Sequence, residues 1–392
     1  MPTMKETTRL IQAGAAGLDA RTINPPLHRA STVLFDSYAD LVRANAGQYG
    51  GITYGTDRLP VQRAFEEALC ALEGGAMTRA FQSGIAAIIH TFLAFTKAGD
   101  HVLLVDNAYG PGHAFCHGIL ARFGVEIGTI PADAGADVIN YLKPNTRLIL
   151  LESPGSHTLE LQDVPAVAAA ARARGIITVL DATWATPLHL KPFALGVDAS
   201  IQSVTKYLSG HSDALLGAVT VTERLAPELD RFCRTTESYA APEDCALALR
   251  GLRTLAVRLG QHERSALALA RWLEGVPRVG EVIHPALSAH PQHALWRRDF
   301  TGSSGLFSFT LREEPTEAQL SAFVDGLELF GIGYSWGGYR SLVTAGKATR
   351  RLPSRYAGRT VVRLSVGLED PQDLQADLAA GFERLAAAPR AL

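Results

Sequence analysis

Hydrophobic positions along this chain switch repeatedly between helical spacing and short continuous apolar runs. From Pro60, the residues Val61, Phe65, Leu69 and Leu72 recur on one helical face, and Gly74-Gly75 ends the run. A second helix is predicted from Gly84. The runs His101–Val105, Val125–Ile130, Thr146–Leu151 and Ile176–Leu180 predict buried strands, and Ala114–Phe123 and Val164–Arg174 predict the helices between them. Strand and helix alternate through short links, so the sheet is mostly parallel and covered on both faces. Its strand ends carry Asn107, Glu152, Asp181 and Ser203, and ligands collect at such ends.

Leu249–Leu273 predicts a long helix, closed near Gly275. Beyond it lie a strand at 305–310, a helix at 316–329, a strand at 361–366 and a last helix at 371–385, which together make a smaller α+β unit. Residues 1 to about 60 are rich in Gly, Pro, Thr and Tyr and predict an arm lying on a partner chain. The expected division is an arm over 1–60, a large domain over 61–250 and a small domain over 251–392.

Composition narrows the classes. A chain of 392 residues is too long for one core. With a net charge of −2 and no long basic run, it has no nucleic-acid footprint. The most apolar window, Ile85–Phe95, is too short to span a bilayer, and the first residues carry no signal segment. Cys70, Cys116, Cys233 and Cys245 have neither metal nor redox-motif spacing, and Cys70 and Cys116 are expected as buried thiols in a cytoplasmic protein.

The candidate chemistry centres on Lys206, within Ser203-Val204-Thr205-Lys206-Tyr207, downstream of Asp181 at a strand end. Pyridoxal phosphate needs an amine for its aldehyde, an anion for its ring nitrogen and donors for its phosphate. Lys206 and Asp181 supply the first two. Ser203, Thr205 and the amides of Gly84 and Ile85 at a helix start can supply the third. An acidic strand end with a solvated lysine fits the same residues. Tyr109 can stack on a flat cofactor or anchor a half-buried turn. Arg363 lies inside an apolar strand and needs an anion, either a substrate α-carboxylate or an internal acid. Trp336 can wall a pocket, and Tyr54 on the arm can reach a neighbouring site. His211 and Asp213 read as loop-holding hydrogen-bond groups rather than a metal pair, and no metal is expected. His157 and His189 receive no role.

From about residue 27 onward the chain resembles bacterial cystathionine β-lyases, within the Cys/Met-metabolism family of pyridoxal-phosphate enzymes. The resemblance rests on Leu151-Glu152-Ser153-Pro154-Gly155-Ser156, Thr183-Trp184-Ala185-Thr186-Pro187, Thr205-Lys206-Tyr207 with Gly210-His211-Ser212-Asp213, Gly251–Leu255, Arg298–Gly305 and Tyr334–Tyr339. It implies an α/β fold type I structure, with a mostly parallel seven-stranded sheet and a smaller C-terminal α+β domain. It implies pyridoxal 5'-phosphate attached at Lys206, the ring nitrogen on Asp181 and the ring under Tyr109. Phosphate contacts fall to Gly84, Ile85, Ser203 and Thr205, and the substrate carboxylate to Arg363. Ser335 and Trp336 would line the substrate pocket. Tyr54 would come from the adjacent subunit of a homo-oligomer, a dimer of dimers.

The chain departs from that pattern in two places. Thr56 stands where the family has an arm arginine, which leaves Arg58 to replace its phosphate contact, and Ala182 stands where an asparagine is common. The expected reaction is β-elimination of L-cystathionine to homocysteine, pyruvate and ammonia. The alternative is a related enzyme acting on cysteine, S-alkylcysteine or another activated amino acid, by β- or γ-chemistry or with racemisation as a side activity.

Overall fold

The structure is a computed structural model, and it describes residues 5–12 and 23–389. The remaining parts of the expected arm, 1–4 and 13–22, lie outside the described residues. Seven strands build the large sheet: β1 Met77–Phe81, β2 His101–Val105, β3 Glu126–Ile130, β4 Thr146–Glu152, β5 Ile177–Asp181, β6 Ala199–Gln202 and β7 Gly217–Val221. Their order is β1-β7-β6-β5-β4-β2-β3, and only β7 runs antiparallel to its neighbours. The central strands β2, β5 and β7 are buried at every position. That is why they read as unbroken apolar runs rather than alternating ones.

One apolar cluster lies on each face of this sheet. On one face the helix Gly84–Phe95 packs Ala87, Ile88 and Phe92 against β6 and β7. On the other face Val164–Arg172 buries Val167, Ala168 and Ala171. The small sheet has five strands: β8 Val279–Ile283, β9 Leu306–Leu311, β10 Gly331–Ile332, β11 Leu342–Lys347 and β12 Thr360–Ser365, in the order β10-β11-β12-β9-β8.

The helix Pro242–Glu274 holds the Lys206 loop in place. A Cβ on its Gly251 would lie 2.3 Å from the Leu208 carbonyl, so only glycine lets helix and loop approach this closely. Arg258 on the same helix donates to the carbonyls of Tyr207 at 2.9 Å and Gly251 at 2.8 Å. The helix starts seven residues before the expected Leu249 and runs through the expected 250/251 boundary. Pro242 is at its first position, and Glu243 and Asp244 occupy its first turn.

Other elements differ from expectation as well. Among its described residues the arm contains two helices, Glu6–Ile11 and Tyr38–Asn45. Leu10 is buried against Val61, Phe65 and the long helix of its own chain, so this part of the arm is docked at home. The predicted Ala114–Phe123 helix is instead Gly110–Gly118 followed by a short 3-10 turn, Leu120–Phe123. Pro111 starts the first piece and left-handed Gly124 closes the second. The helix expected to Leu329 stops at Val324, and the Asp377 carboxylate takes the freed amides of Glu328 and Leu329 at 3.0 and 2.9 Å. Among the described residues, no helix is long and apolar enough to cross a membrane.

Candidate active site

Lys206 lies in the turn after β6, where the large and small domains meet. Its Nζ donates to Ser335 Oγ at 2.7 Å and sits 5.3 Å from the Trp336 ring centre. The backbone of Ser335 is left-handed, with φ 79°, and Gly337 follows with φ 82°. A Cβ at Gly337 would lie 2.8 Å from the Tyr207 amide, so the second domain can press against the lysine only with glycine there. The Ser335 carbonyl accepts from Arg363 Nη2 at 3.3 Å. One residue therefore touches both the amine and the guanidinium.

Burial lowers the Lys206 amine to about 8, with the Arg363 charge pushing the same way and Asp181 opposing it. Arg363 sits on β12 and is also lowered by burial. Among the described residues it has no ion pair, and the groups that favour its charge are the phenols of Tyr109 and Tyr207. An internal acid therefore does not meet the need for an anion read from the sequence.

Asp181 ends β5 and is 8% exposed. Its Oδ1 accepts from the Thr183 amide at 3.0 Å and hydroxyl at 2.5 Å. Thr183 Oγ1 in turn accepts from the Ser203 amide at 2.8 Å, which ties the acid to the start of the lysine turn. Glu152 ends β4 directly opposite Asp181. Its oxygens accept from the Tyr109 amide at 2.6 Å and the Ser156 hydroxyl at 2.7 Å. Burial and the neighbouring Asp181 raise the Glu152 carboxyl to about 8. Burial raises Asp181 too, while the Thr183 donors and the Lys206 charge favour its anion. The sequence reading placed Glu152 at a strand end but gave it no role. The missed signal is the equal position of two acids on adjacent parallel strands.

The helix start at Gly84 leaves donors unused. Ser83 caps the helix from Gly84 by accepting from the Ala86 amide at 3.1 Å, and its carbonyl takes the Ala87 amide. The amides of Gly84 and Ile85 have no protein acceptor among the described residues. A Cβ on Gly84 would lie 2.5 Å from Ser203 Oγ, so the helix start and this hydroxyl converge on one spot. Free amides and a free hydroxyl at a helix N-terminus fit a dianionic phosphate. Thr205 differs from expectation: its hydroxyl donates to the Leu216 carbonyl at 3.1 Å and accepts from the Leu216 amide at 2.9 Å. Tyr109 caps the next helix and is 45% exposed; burial, with Glu152 and Asp181, raises its phenol, and Arg363 opposes them.

The structure thus groups Lys206, Ser335, Trp336 and Arg363, and joins Asp181, Tyr109, Ser203, Gly84 and Ile85 to them. Tyr54 and Arg58 lie elsewhere within the chain. They line a separate cavity of about 180 Å³ with Thr56, Glu66 and Arg79. Arg58 Nε donates to buried Glu66 at 2.6 Å, and Arg79 approaches the same oxygen and also pairs with Asp230. His211 Nδ1 lies 2.7 Å from the Ser209 carbonyl, as its loop-holding reading requires, whereas Asp213 is exposed. Cys116, Cys233 and Cys245 are buried free thiols, and Cys70 is only half-buried.

Comparison with known proteins places the chain in a family. The family model described as "Cys/Met metabolism PLP-dependent enzyme" matches residues 7–383. The cystathionine beta-lyase of Salmonella typhimurium is 41% identical over 387 residues, covering 96% of this chain and 98% of that protein. Cystathionine beta-lyase MetC of Escherichia coli is 40% identical over 394 residues, covering 98% and 100%. The crystal structure of cystathionine gamma synthase from Xanthomonas oryzae pv. oryzae, in complex with aminoacrylate and cysteine, has a TM-score of 0.90 at 31% identity and covers 98% of this chain and 99% of that one. The chain belongs to the Cys/Met metabolism family of enzymes that use pyridoxal 5'-phosphate, with the fold type I architecture and the carbon–sulfur chemistry of that family.

Proposed function

We propose that the protein is a carbon–sulfur lyase that removes a thiol from the β-carbon of a cysteine thioether, with L-cystathionine as the reference substrate. The observation that carries the reading is the Ser335 bridge, which holds a weakly basic amine, Lys206, beside a guanidinium without an acid partner, Arg363. Arg363 binds the α-carboxylate and so fixes the Cα–H bond toward the lysine. With its amine at about 8, Lys206 is partly neutral at ordinary pH and can take the α-proton, then return it to the leaving sulfur. Asp181, oriented by Thr183, would meet the cofactor's ring nitrogen, and Gly84, Ile85 and Ser203 would hold its phosphate. The cofactor, when bound, supplies an electron sink for the pair left at Cα. β-Elimination needs only the α-proton removed, which one movable amine can accomplish. The two lyase relatives support the same choice.

In this reading Tyr54 serves the adjacent subunit, since it is 46% exposed and outside the Lys206 site of its own chain. A dimer of dimers in the cytoplasm belongs to the same proposal. A second reading, a related enzyme acting on cysteine, an S-alkylcysteine or another activated amino acid, is favoured by the arm. There Arg58 is engaged by Glu66 and Thr56 carries no charge.

Product analysis separates the two. With L-cystathionine and water, β-elimination gives homocysteine, pyruvate and ammonia, while γ-elimination gives cysteine, 2-oxobutyrate and ammonia. Pyruvate with homocysteine is the expected result. 2-Oxobutyrate with cysteine, or turnover confined to cysteine and S-alkylcysteines, rejects the main reading.

A further inference from the structure

The larger cavity, about 430 Å³, opens where the Asp106–Ala114 turn of the large domain faces the Thr344–Arg351 segment of the small one. Neighbours of the reaction-site residues line it. Tyr334 and Ser156 line it. Tyr334 precedes the Ser335 that holds Lys206, and Ser156 donates to Glu152. Thr344, also on its wall, is the register partner of Arg363. In the proposed function, a substrate held at its α-carboxylate by Arg363 would direct the rest of its side chain toward this wall, on which Thr344 is the strand neighbour of Arg363.

The charges around this cavity do not balance. Its one acid, Asp106, is already occupied, with its two oxygens taking the amides of Arg351 at 2.9 Å and Leu352 at 3.3 Å. Arg350 has a side chain 5% exposed and is paired with Glu160 and Thr158, yet its Nε is buried without an acceptor. Thr344 Oγ1 is likewise unpartnered. Lys347 and Arg351 are exposed, and neither side chain has an acidic partner among the described residues. The two histidines on the wall stay neutral near pH 7. Burial lowers His113, with Arg351 adding to the effect, and burial lowers His157 to about 4, with Arg363 and Arg350 adding.

We propose that this cavity is a subsite for an anionic group, of the carboxylate class, at the far end of the substrate's side chain, with Lys347 and Arg351 as its charged ligands. A free cation pair at a cleft mouth attracts such a group and discriminates against a neutral one of the same shape. Asp106 contributes by fixing the backbone that presents Arg351.

The test compares S-(2-carboxyethyl)-L-cysteine with its neutral amide, S-(3-amino-3-oxopropyl)-L-cysteine. The kinetic arm rests on the lyase reading and the binding arm does not. In the holoenzyme, kcat/KM for the acid should exceed that for the amide by about tenfold at low salt, and added salt should narrow the gap. In the double variant Lys347→Gln/Arg351→Gln the acid-to-amide ratio should fall close to one, through KM. Calorimetry on cofactor-loaded Lys206→Ala protein, which lacks the acid–base amine, should show the same acid preference, and the same loss with both cations removed. Turnover of neither compound alongside preserved preferential binding rejects the lyase reading and upholds the subsite. Equal binding of acid and amide overturns the subsite, as does a ratio that the double variant leaves intact. A melting temperature close to the parent's in the double variant excludes unfolding as the cause.

Discussion

Glu152 and Asp181 are direct register partners at the carboxyl ends of two adjacent parallel strands. Two acids therefore share one end of the sheet, with the backbone of Tyr109 bonded to one and Thr183 to the other. Like charges this close do not both ionise readily, and Glu152 is the member that keeps its proton to about pH 8.

This pair makes the cofactor-free protein lose stability as pH rises from the acid range toward 8. Folded Glu152 holds its proton up to about pH 8, and the unfolded chain releases it near 4.5. The stability it contributes is complete below about pH 4.5 and lost as pH rises through about 8. Each tenfold difference in proton affinity corresponds to about 1.4 kcal/mol. Urea midpoints of cofactor-free protein should fall between pH 5 and 8, and Glu152→Gln should flatten the profile. An unchanged slope in the variant would remove Glu152 as its source.

Arg363 is predicted to act on substrate rather than on the fold. Arg363→Ala should lower kcat/KM by about 2–5 kcal/mol in transition-state terms, the range for a desolvated charge pair, while cofactor absorbance persists. Arg363→Lys should recover part of the loss. If the alanine variant keeps its kcat/KM, the carboxylate role fails. If it unfolds, the guanidinium has a structural job instead.

Arg58 presents two separable expectations. Its ion pair with buried Glu66 predicts that Arg58→Ala destabilises the cofactor-free protein by about 3 kcal/mol, because an acid is left buried with one partner fewer. The proposal that Arg58 contacts the neighbour's phosphate predicts weaker cofactor binding in the same variant and recovery with Thr56→Arg. Measuring both the melting temperature and the cofactor Kd distinguishes them. A stability loss with unaltered Kd leaves Arg58 a structural residue only.

Much of the site was legible because its residues sit at predictable places. Asp181 follows an apolar strand, Ser83-Gly84 opens a helix, and Lys206 lies in a hydroxyl- and glycine-rich turn. β1 and β7 escaped the reading for a physical reason. Met77–Phe81 is five residues long and carries Thr78 and Arg79, whose polarity hides burial achieved through Thr220, Glu66 and Asp230. β7, Gly217–Val221, returns antiparallel between β1 and β6 and so falls outside the parallel strand–helix alternation that framed the other strands. Glu152 was visible as a strand end, but its pairing with Asp181 depends on register, which one strand's sequence does not carry. Lys347 and Arg351 lie in an exposed stretch whose position over the cleft is set by the Asp106 contact with the other domain.

The central claim is that Lys206 is the amine that holds the cofactor. The chain has few other lysines, and Lys191, the half-buried one, is tied to Glu6 and to the Leu72 carbonyl at 2.9 Å. The most direct measurement is to reduce the loaded protein with borohydride, digest it and locate the cofactor-bearing peptide by mass spectrometry. The account predicts one modified residue, Lys206, with no such peptide from Lys206→Ala. A modification mapping to Lys97 or Lys191, or persisting in the alanine variant, would contradict it.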